Sequence, residues 1–465
     1  MNKTLLLIAM ILLIVSSCKK NSFITGTDAS VNFSADTIRF DTVFTSTGSV
    51  TQSVKIVNNN NQKLLLSDVK LMGGNNSVFK ININGAAVLN ATNIEIDPND
   101  SIYVFVSVYI NPNANNLPFI LQDSIQVAFN GNTRYIQLQA YGQNAHFLSN
   151  QIISGNINWT NDLPYVILGG LAIDTNSILT IQKGCKIYCH ANAPVIVNGT
   201  LLVQGEKYDS TRVTFQSDRL DAPYSSYPAA WPGIYFAPSS KDNVFEFAVI
   251  NNAYQAVVAL GPSPDANPKI ILNECVINNS YDAGILTEQS SVQARNCLIS
   301  NCGKNIELTY GGTYNFSYCT VAAYSNEFIS HSNPVLSINN VSSDGSNSTY
   351  PLTANFLNCI FWGDGSLDNE VSVSQQTSAN AFNVGLNYCL WLEKTNPANV
   401  TTNNMLATDP MFDSVNNRTL YYDFHLKNSS PAISYGTIAG TPPFDLDGNP
   451  RVVNGFTDLG CFQKQ

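Results

Sequence analysis

Five stretches of this chain can be laid over one another: 272–277, 294–299, 316–321, 356–361 and 386–391, each with a cysteine at its fourth position. A sixth stretch, 245–250, joins them with Ala248 in the place of cysteine. The central residues lie 27, 22, 22, 40 and 30 positions apart. A strand-rich unit of about 22 residues cannot bury its own apolar face, but stacked copies bury one another. That is the pattern of a parallel β-solenoid, and no other feature restricts the fold as tightly.

If the coils stack directly, each repeat position becomes a ladder with a spacing of roughly 4.8 Å. The apolar positions fall three before the centre, at the centre and two after it. The cysteines then form an interior column of small hydrophobes. Asn252, Asn279 and Asn301 each stand four residues past a centre. They mark a bend where stacked amides bond one another and satisfy backbone groups. A second strand recurs beyond them at 257–259, 284–286 and 306–308. The 27-residue step is explained by the loop 261–268, whose prolines do not fit an inner strand. The 40-residue step fits either one coil with a Ser/Asn-rich excursion at 342–350 or two poorly matched coils.

Hydrophobic residues make up 44% of the 465 and charged residues only 12%, which is ample for a core. The net charge is −10, with no basic cluster after residue 20. That excludes a nucleic-acid partner, which needs a Lys/Arg face. The N-terminus has a lysine at position 3, an apolar run from Leu5 to Val15, then Ser16-Ser17-Cys18. This is the form of a secretory signal, too short to span a bilayer. Val15-Ser16-Ser17-Cys18 resembles the lipobox of bacterial lipoproteins, here of the Bacteroidota type. The resemblance implies a signal peptide over 1–17, acylation of Cys18, a tether over 18–30 and an outer-membrane location. The implied partner is the membrane, held through lipid on Cys18; several acyl chains on one residue give stable anchorage. Lys19-Lys20 stands where surface-exported relatives carry acidic residues, so the periplasm-facing and cell-surface sides both stay open. The remaining nine cysteines are odd in number, and five share one core position, so free buried thiols are expected.

Residues 31–146 lack the repeat. They hold alternating strands at 53–57, 78–83, 102–108, 123–129 and 135–138, separated by turn signals such as Asn130-Gly131-Asn132. This reads as a β-sandwich. Asp41–Phe44, Val54–Asn58 and Tyr141-Gly142 resemble the Ig-like modules that precede repeat domains in bacterial envelope proteins, which implies a spacer. Within 150–465, Gly199-Thr200-Leu201 with Gly205, then Trp231-Pro232-Gly233-Ile234, resemble the first coils of right-handed parallel β-helix proteins. Phe444–Arg451 and Asp458-Leu459-Gly460 resemble the closing segment of such chains. The expectation is an all-β chain: an N-terminal Ig-like β-sandwich, then a right-handed parallel β-helix of about eleven coils at roughly 24 residues each.

The candidate chemistry is sparse. Cys185 and Cys189, with His190, suggest zinc, but strand positions four apart lie about 13 Å from each other, too far to share an ion. Asp445 and Asp447 have the spacing of a short calcium loop without the full ligand set. A tight turn with Arg451 paired to Asp458 is the preferred reading, so no cofactor is expected and calcium is the one candidate. A lyase needs a cation and a base, and a hydrolase needs two opposed carboxylates. At the 22-residue period Asp282 stacks with Lys304, but no three ionisable groups gather, and His146, His190, His331 and His425 are scattered. Catalytic residues are therefore unassigned. Tyr224, Tyr227, Trp231 and Tyr235 surround a Pro/Ser-rich loop, where rings can stack on sugars or simply pack over the first coils. The expected function is a lipid-anchored envelope protein whose β-helix binds or adheres to glycan or another envelope component. The alternatives are a polysaccharide lyase or glycoside hydrolase on the same helix, and a purely structural surface protein.

Overall fold

The structure, a computed structural model, describes residues 22–44, 48–110, 119–342 and 346–465. The signal segment, Cys18 and Lys19-Lys20 lie outside these residues. Among the described residues there is no α-helix, and no helix long and apolar enough to cross a membrane. The chain divides between Asn144 and Ala145 into two compact units.

The first unit is a β-sandwich. One sheet orders the strands Val31–Phe33, Gln52–Asn58, Ser101–Val108 and Phe79–Ile83, all antiparallel. The other orders Thr37–Phe44, Asn132–Gln143, Phe119–Phe129, Leu64–Leu71 and Asn90–Ile96, with only its first pair parallel. Period-two alternation places one side of each strand inside: Ile102, Val104, Val106 and Val108 are buried, while Tyr103 and Phe105 face out. Val54, Ile56, Val69, Ile125, Val127, Ile136 and Leu138 complete the shared core. The hairpin between Phe129 and Asn132 turns on Asn130 and Gly131, both with positive φ (45° and 79°), as a tight two-residue turn requires.

The second unit is a parallel β-helix, a 25-stranded sheet wound into three faces. Face A holds the strands that follow the cysteines, among them Val276–Asn278, Leu298–Ser300, Thr320–Ala323 and Ile360–Gly363. Face B follows with Gln255–Leu260, the first half of Ala283–Arg295 and the first half of Lys304–Ser317. Face C leads back to the next cysteine through strands such as Ile270–Asn273 and Leu352–Leu357. Leu272 lies beside Ala294, Ala294 beside Phe316, Phe316 beside Phe356 and Phe356 beside Leu386. The 40-residue step is thus a single coil. Ile306 pairs with Leu336, Gly312 with Leu352 and Thr320 with Ile360, with the extra residues carried at both bends flanking face B.

The cysteines form the expected column: Cys275, Cys297, Cys319, Cys359 and Cys389 are fully buried and free. The N–H groups of Cys319 and Cys359 each lie 3.4 Å from the sulfur of the cysteine in the next coil. Lys186 pairs with Thr214, and Val213 with Ala248, so Cys185 begins the same column. Burial pushes the thiols of Cys275, Cys319 and Cys389 up, which keeps them protonated and inert.

Two rows of corner residues turn through the left-handed region. At the C–A corner the residue before the central position has positive φ: Phe247, Glu274, Asn296, Tyr318, Asn358 and Tyr388. At the A–B corner it is Asn252, Asn279 and Asn301, at φ 63°, 56° and 52°. Asparagine tolerates this conformation better than most residues, which explains its recurrence. Gly233 is required for another reason: a Cβ there would stand 1.6 Å from the Gln255 carbonyl oxygen on the next coil. Lys269, fully buried beside the proline loop, has its ammonium held by the carbonyls of Ala237 (2.9 Å), Pro238 (3.2 Å) and Leu260 (2.7 Å).

The solenoid is shorter than its length in sequence predicts. Its last parallel strand is Thr401–Asn403, and the remaining chain does not continue the coils. It forms an antiparallel hairpin, Phe412–Asn416 with Tyr421–Leu426, and then a strap of turns. Phe412, Phe424, Leu426, Ala432, Leu446, Leu459 and Phe462 pack on Ala322, Ile360 and Leu390, the outward residues of face A. The closing segment therefore covers a side of the helix. Val276, Leu298 and Ile360 on the outward side are apolar like Ile277, Ile299 and Phe361 on the inward side, because both sides of face A are packed.

Candidate functional site

The C–A corner is occupied by the strap. Asn358 accepts the Thr437 N–H and donates to the Thr437 carbonyl, both at 2.9 Å. The Tyr318 hydroxyl donates to the same carbonyl (2.9 Å), and Asn296 donates to the Phe444 carbonyl (2.8 Å). Arg451 is fully buried, lies 4.4 Å over the Tyr318 ring and donates to the Asn296 oxygen. Asp458, its expected partner, instead accepts the N–H groups of Ser434 and Lys464 at 2.7 Å each. The Asp445 carboxylate accepts three backbone N–H groups, from Asp447 (3.0 Å), Asn449 (2.7 Å) and Gln463 (2.9 Å). Asp447 pairs with His425 at 2.8 Å. The two carboxylates of the calcium candidate are thus committed separately, one to a turn and one to a histidine. They do not converge on a shared point.

The A–B corner has no strap along its row. Asn252 donates to the Ser225 carbonyl (2.7 Å), and Asn279 donates to both the Ser226 carbonyl (2.9 Å) and the Asn252 oxygen (2.8 Å). This is one step of the expected amide ladder. The next asparagine breaks it. Asn301 accepts the Tyr324 N–H (3.1 Å), which fixes its oxygen on that side, and its buried Nδ2 has no hydrogen-bond partner. These residues line a cleft of about 230 Å³ with Ser225, Ser226, Asn251, Asn278, Asn326, Leu420 and Tyr422. The Tyr422 hydroxyl, turned toward Asn326, is also buried without a hydrogen bond of normal geometry. Two residues past Asn252 and Asn279 stand Tyr254 and Tyr281, 44% and 52% exposed, with ring centroids 6.0 Å apart and planes at 24°. Beside them Gln255 donates to Asp282 (2.6 Å), and Lys304 bridges Asp282 (3.9 Å) and Glu307 (2.8 Å). Asp282 and Lys304 form the surface pair read from the repeat, although the register places Lys304 beside Ala283, one residue off the 22-residue period.

The four rings expected as a sugar platform separate. Trp231 is fully buried, its indole N–H donating to the Asn251 carbonyl at 2.8 Å, so it is a core residue. Its bridge to Ala253 and its full burial leave no face for a ligand. Tyr235 is half-buried and donates to the Pro232 carbonyl (3.1 Å). Tyr224 is exposed under the Arg219 guanidinium (4.0 Å), and Tyr227 packs between it and Phe328, at 5.3 and 4.9 Å. These last two lie on the loop whose Ser225 and Ser226 wall the asparagine cleft. Cys185 and Cys189 are buried in the core, and His190 pairs with Asp218 at 2.7 Å. Among the described residues no group of three side chains is placed to hold a metal.

A second cleft, of about 460 Å³, lies at the last coil, lined by Asp368, Asn369, Ser372, Glu393, Thr395 and Asn396 among others. Burial pushes the Glu393 carboxyl up to about 7, and the charge of Glu370 adds to the shift. Glu370 is sealed, with His331 at 2.8 Å and the Val335 N–H at 3.2 Å. Asp368, on the rim, pairs with Lys394 at 2.7 Å. The sequence reading passed over Tyr254, Tyr281, Asn326, Tyr422 and Glu393. The two exposed tyrosines carried a signal, since each follows a repeat asparagine by two residues. The others come from irregular loops, whose positions no repeat period encodes.

No known family profile matches the chain, and no curated protein does. Among solved structures, the pectate lyase Pel9A aligns at 11% identity over 69% of this chain and 88% of its own, with a TM-score of 0.31. A protein of unknown function from Porphyromonas gingivalis W83 aligns at 13% identity, with 27% of this chain, 50% of that one and a TM-score of 0.19. A family 123 glycoside hydrolase from Clostridium perfringens aligns at 12% identity, with 26%, 30% and a TM-score of 0.18. The chain thus spans half of the second and less than a third of the third. Scores this low carry no functional inference, and the β-helix assignment rests on the strand register itself.

Proposed function

We infer that this is a lipid-anchored envelope protein in which the sandwich is a spacer and the β-helix binds glycan along its A–B corner and face B. The observation that carries this reading is the Tyr254–Tyr281 pair: two exposed, nearly parallel rings on successive coils, beside a row of asparagine amides. Sugars present a C–H face to aromatic rings and hydroxyl edges to amides, so this pairing of surfaces suits them. The lipobox at Val15–Cys18 supports the anchorage, which labelling of cells with a radioactive fatty acid tests: wild type takes up label and Cys18→Ala does not. For glycan binding the test is affinity electrophoresis through polysaccharide-loaded gels. Wild type should be retarded by at least one polysaccharide, and Tyr254→Ala/Tyr281→Ala should migrate freely. Equal retardation of the double variant would remove the site.

The enzyme reading has one observation in its favour. Glu393, raised by burial to about 7 and so partly protonated at neutral pH, and Asp368, ion-paired on the rim, line the same cleft, as an acid and a carboxylate partner would. Release of reducing ends from a polysaccharide, abolished in Glu393→Gln, would establish it. Its absence across neutral and acidic glycans would leave binding alone.

A further inference from the structure

Both corners include asparagines of positive φ: Asn296 and Asn358 at the C–A corner, and Asn252, Asn279 and Asn301 at the A–B corner. At the C–A corner these amides meet the strap. At the A–B corner Asn252 and Asn279 meet the 225–226 loop, while the Asn301 Nδ2 faces a cleft with nothing to donate to. Asn301 is only 3% exposed, so this donor is buried at a cost unless something accepts from it. The Tyr422 hydroxyl, contributed by the hairpin and turned toward Asn326, is a second buried polar atom on the same cleft that makes no hydrogen bond of normal geometry. Two such groups from segments distant in sequence, converging on one space, mark a ligand subsite.

We propose that this cleft receives one neutral sugar residue, a chain end or branch of the bound glycan, with its hydroxyls on Asn301 Nδ2 and Tyr422. The proposal rests on the glycan-binding reading and narrows it. Neutrality follows from the lining, which consists of serine, asparagine, leucine and tyrosine with no charged side chain to balance a uronate. Size follows from the volume: 230 Å³ is below the roughly 300–1,000 Å³ of drug-sized ligand sites, so a single ring enters and a long segment does not. A peptide is disfavoured by the same walls. The strap runs past successive C–A corners because nothing blocks its path, whereas Ser225–Ser226, Asn326 and Leu420 close the row at the A–B corner. The mixed lining, amides on one side with Leu420 and Tyr422 on the other, matches the hydroxyl edge and C–H face of a pyranose.

The test is titration calorimetry on the full-length protein with neutral mono- and disaccharides, the matching uronic acids and an uncharged tripeptide. Two variants are used: Asn301→Asp, which keeps the left-handed residue and the acceptor for Tyr324 but removes the donor, and Tyr422→Phe, which removes only the hydroxyl. Wild type should bind a neutral sugar saturably and discriminate against its uronic acid by at least tenfold. Asn301→Asp should lose at least tenfold in affinity and Tyr422→Phe about threefold or more, both retaining wild-type melting temperature. Uronate bound as tightly as the neutral sugar, or binding of the tripeptide in competition with it, would overturn the proposal. So would unchanged sugar affinity in Tyr422→Phe and Asn301→Asp. If that happens while Tyr254→Ala/Tyr281→Ala still abolishes polysaccharide retention, the subsite fails and the glycan surface stands. If wild type binds no sugar and no polysaccharide, both fall.

Discussion

The C–A and A–B corners of the β-helix have the same backbone and opposite fates. Both turn on residues of positive φ that repeat from coil to coil, asparagine alone at 252, 279 and 301 and mixed with Phe247, Glu274, Tyr318 and Tyr388 at the C–A corner. At the C–A corner, Asn296, Tyr318 and Asn358 are tied to the strap, and face A beyond them is buried. At the A–B corner the hairpin reaches over only with Leu420 and Tyr422, and Tyr254 and Tyr281 beside it stay exposed. An asparagine at a solenoid corner is favoured by the turn, though Phe247, Glu274, Tyr318 and Tyr388 take the same conformation. Whether its amide then serves stability or recognition depends on what irregular chain lies opposite.

That contrast is open to attack from the strap side first. Phe424→Ala removes a ring buried between the hairpin and face A, and should cost about 3–5 kcal/mol, read as a lowered urea midpoint. A loss under about 1 kcal/mol would mean that the strap is not integral to the fold. Next, glycine separates the side chain from the turn, because it accepts positive φ without strain. Asn358→Gly loses both bonds to Thr437 and should cost about 2–3 kcal/mol, whereas Asn301→Gly loses one and should cost about 1. Equal costs would erase the distinction between the corners.

The thiol column makes a prediction of accessibility. The nine described cysteines, all buried and free, should resist an aqueous thiol reagent in the native state and react together on unfolding in denaturant. Early reaction of Cys275, Cys297 or Cys319 would place that column outside the core. The smallest effect concerns pH. Hydrogen bonds to Asp447 and then Asp423 raise His425 to about 9 against burial, from an ordinary 6.5. A folded value above the unfolded one stabilises fully below about pH 6.5 and is lost as pH rises through about 9. His425 is 44% exposed at its side chain, so solvent screens the pairs and the melting temperature should fall by only a degree or two over that window. His425→Gln should flatten the slope.

Much of the fold was legible because a solenoid writes its register into the sequence. The cysteine at the fourth position of each repeat marks which residues stack, and the alternation at 102–108 marks a sandwich strand. Cys185 was not seen as the first member of the column because Val213 and Ala248 stand between it and Cys275, and a small apolar position tolerates all three. The double-sided burial of Val276, Leu298 and Ile360 was visible as apolar runs, but it does not say what covers them. The candidate site was legible only in its repeating half. Asn252, Asn279 and Asn301 follow the period, while Asn326 and Tyr422 arrive from an excursion and a hairpin whose paths depend on tertiary packing. For Trp231 the sequence left packing and sugar stacking open, and its full burial with a parallel bridge to Ala253 selects packing.

A crystal structure of the protein soaked in a neutral disaccharide tests the account most directly. The account predicts one sugar ring in the A–B cleft, with hydroxyls within hydrogen-bond distance of Asn301 Nδ2 and the Tyr422 oxygen. A sugar ordered elsewhere on the β-helix, with this cleft unchanged at saturating concentration, would contradict it.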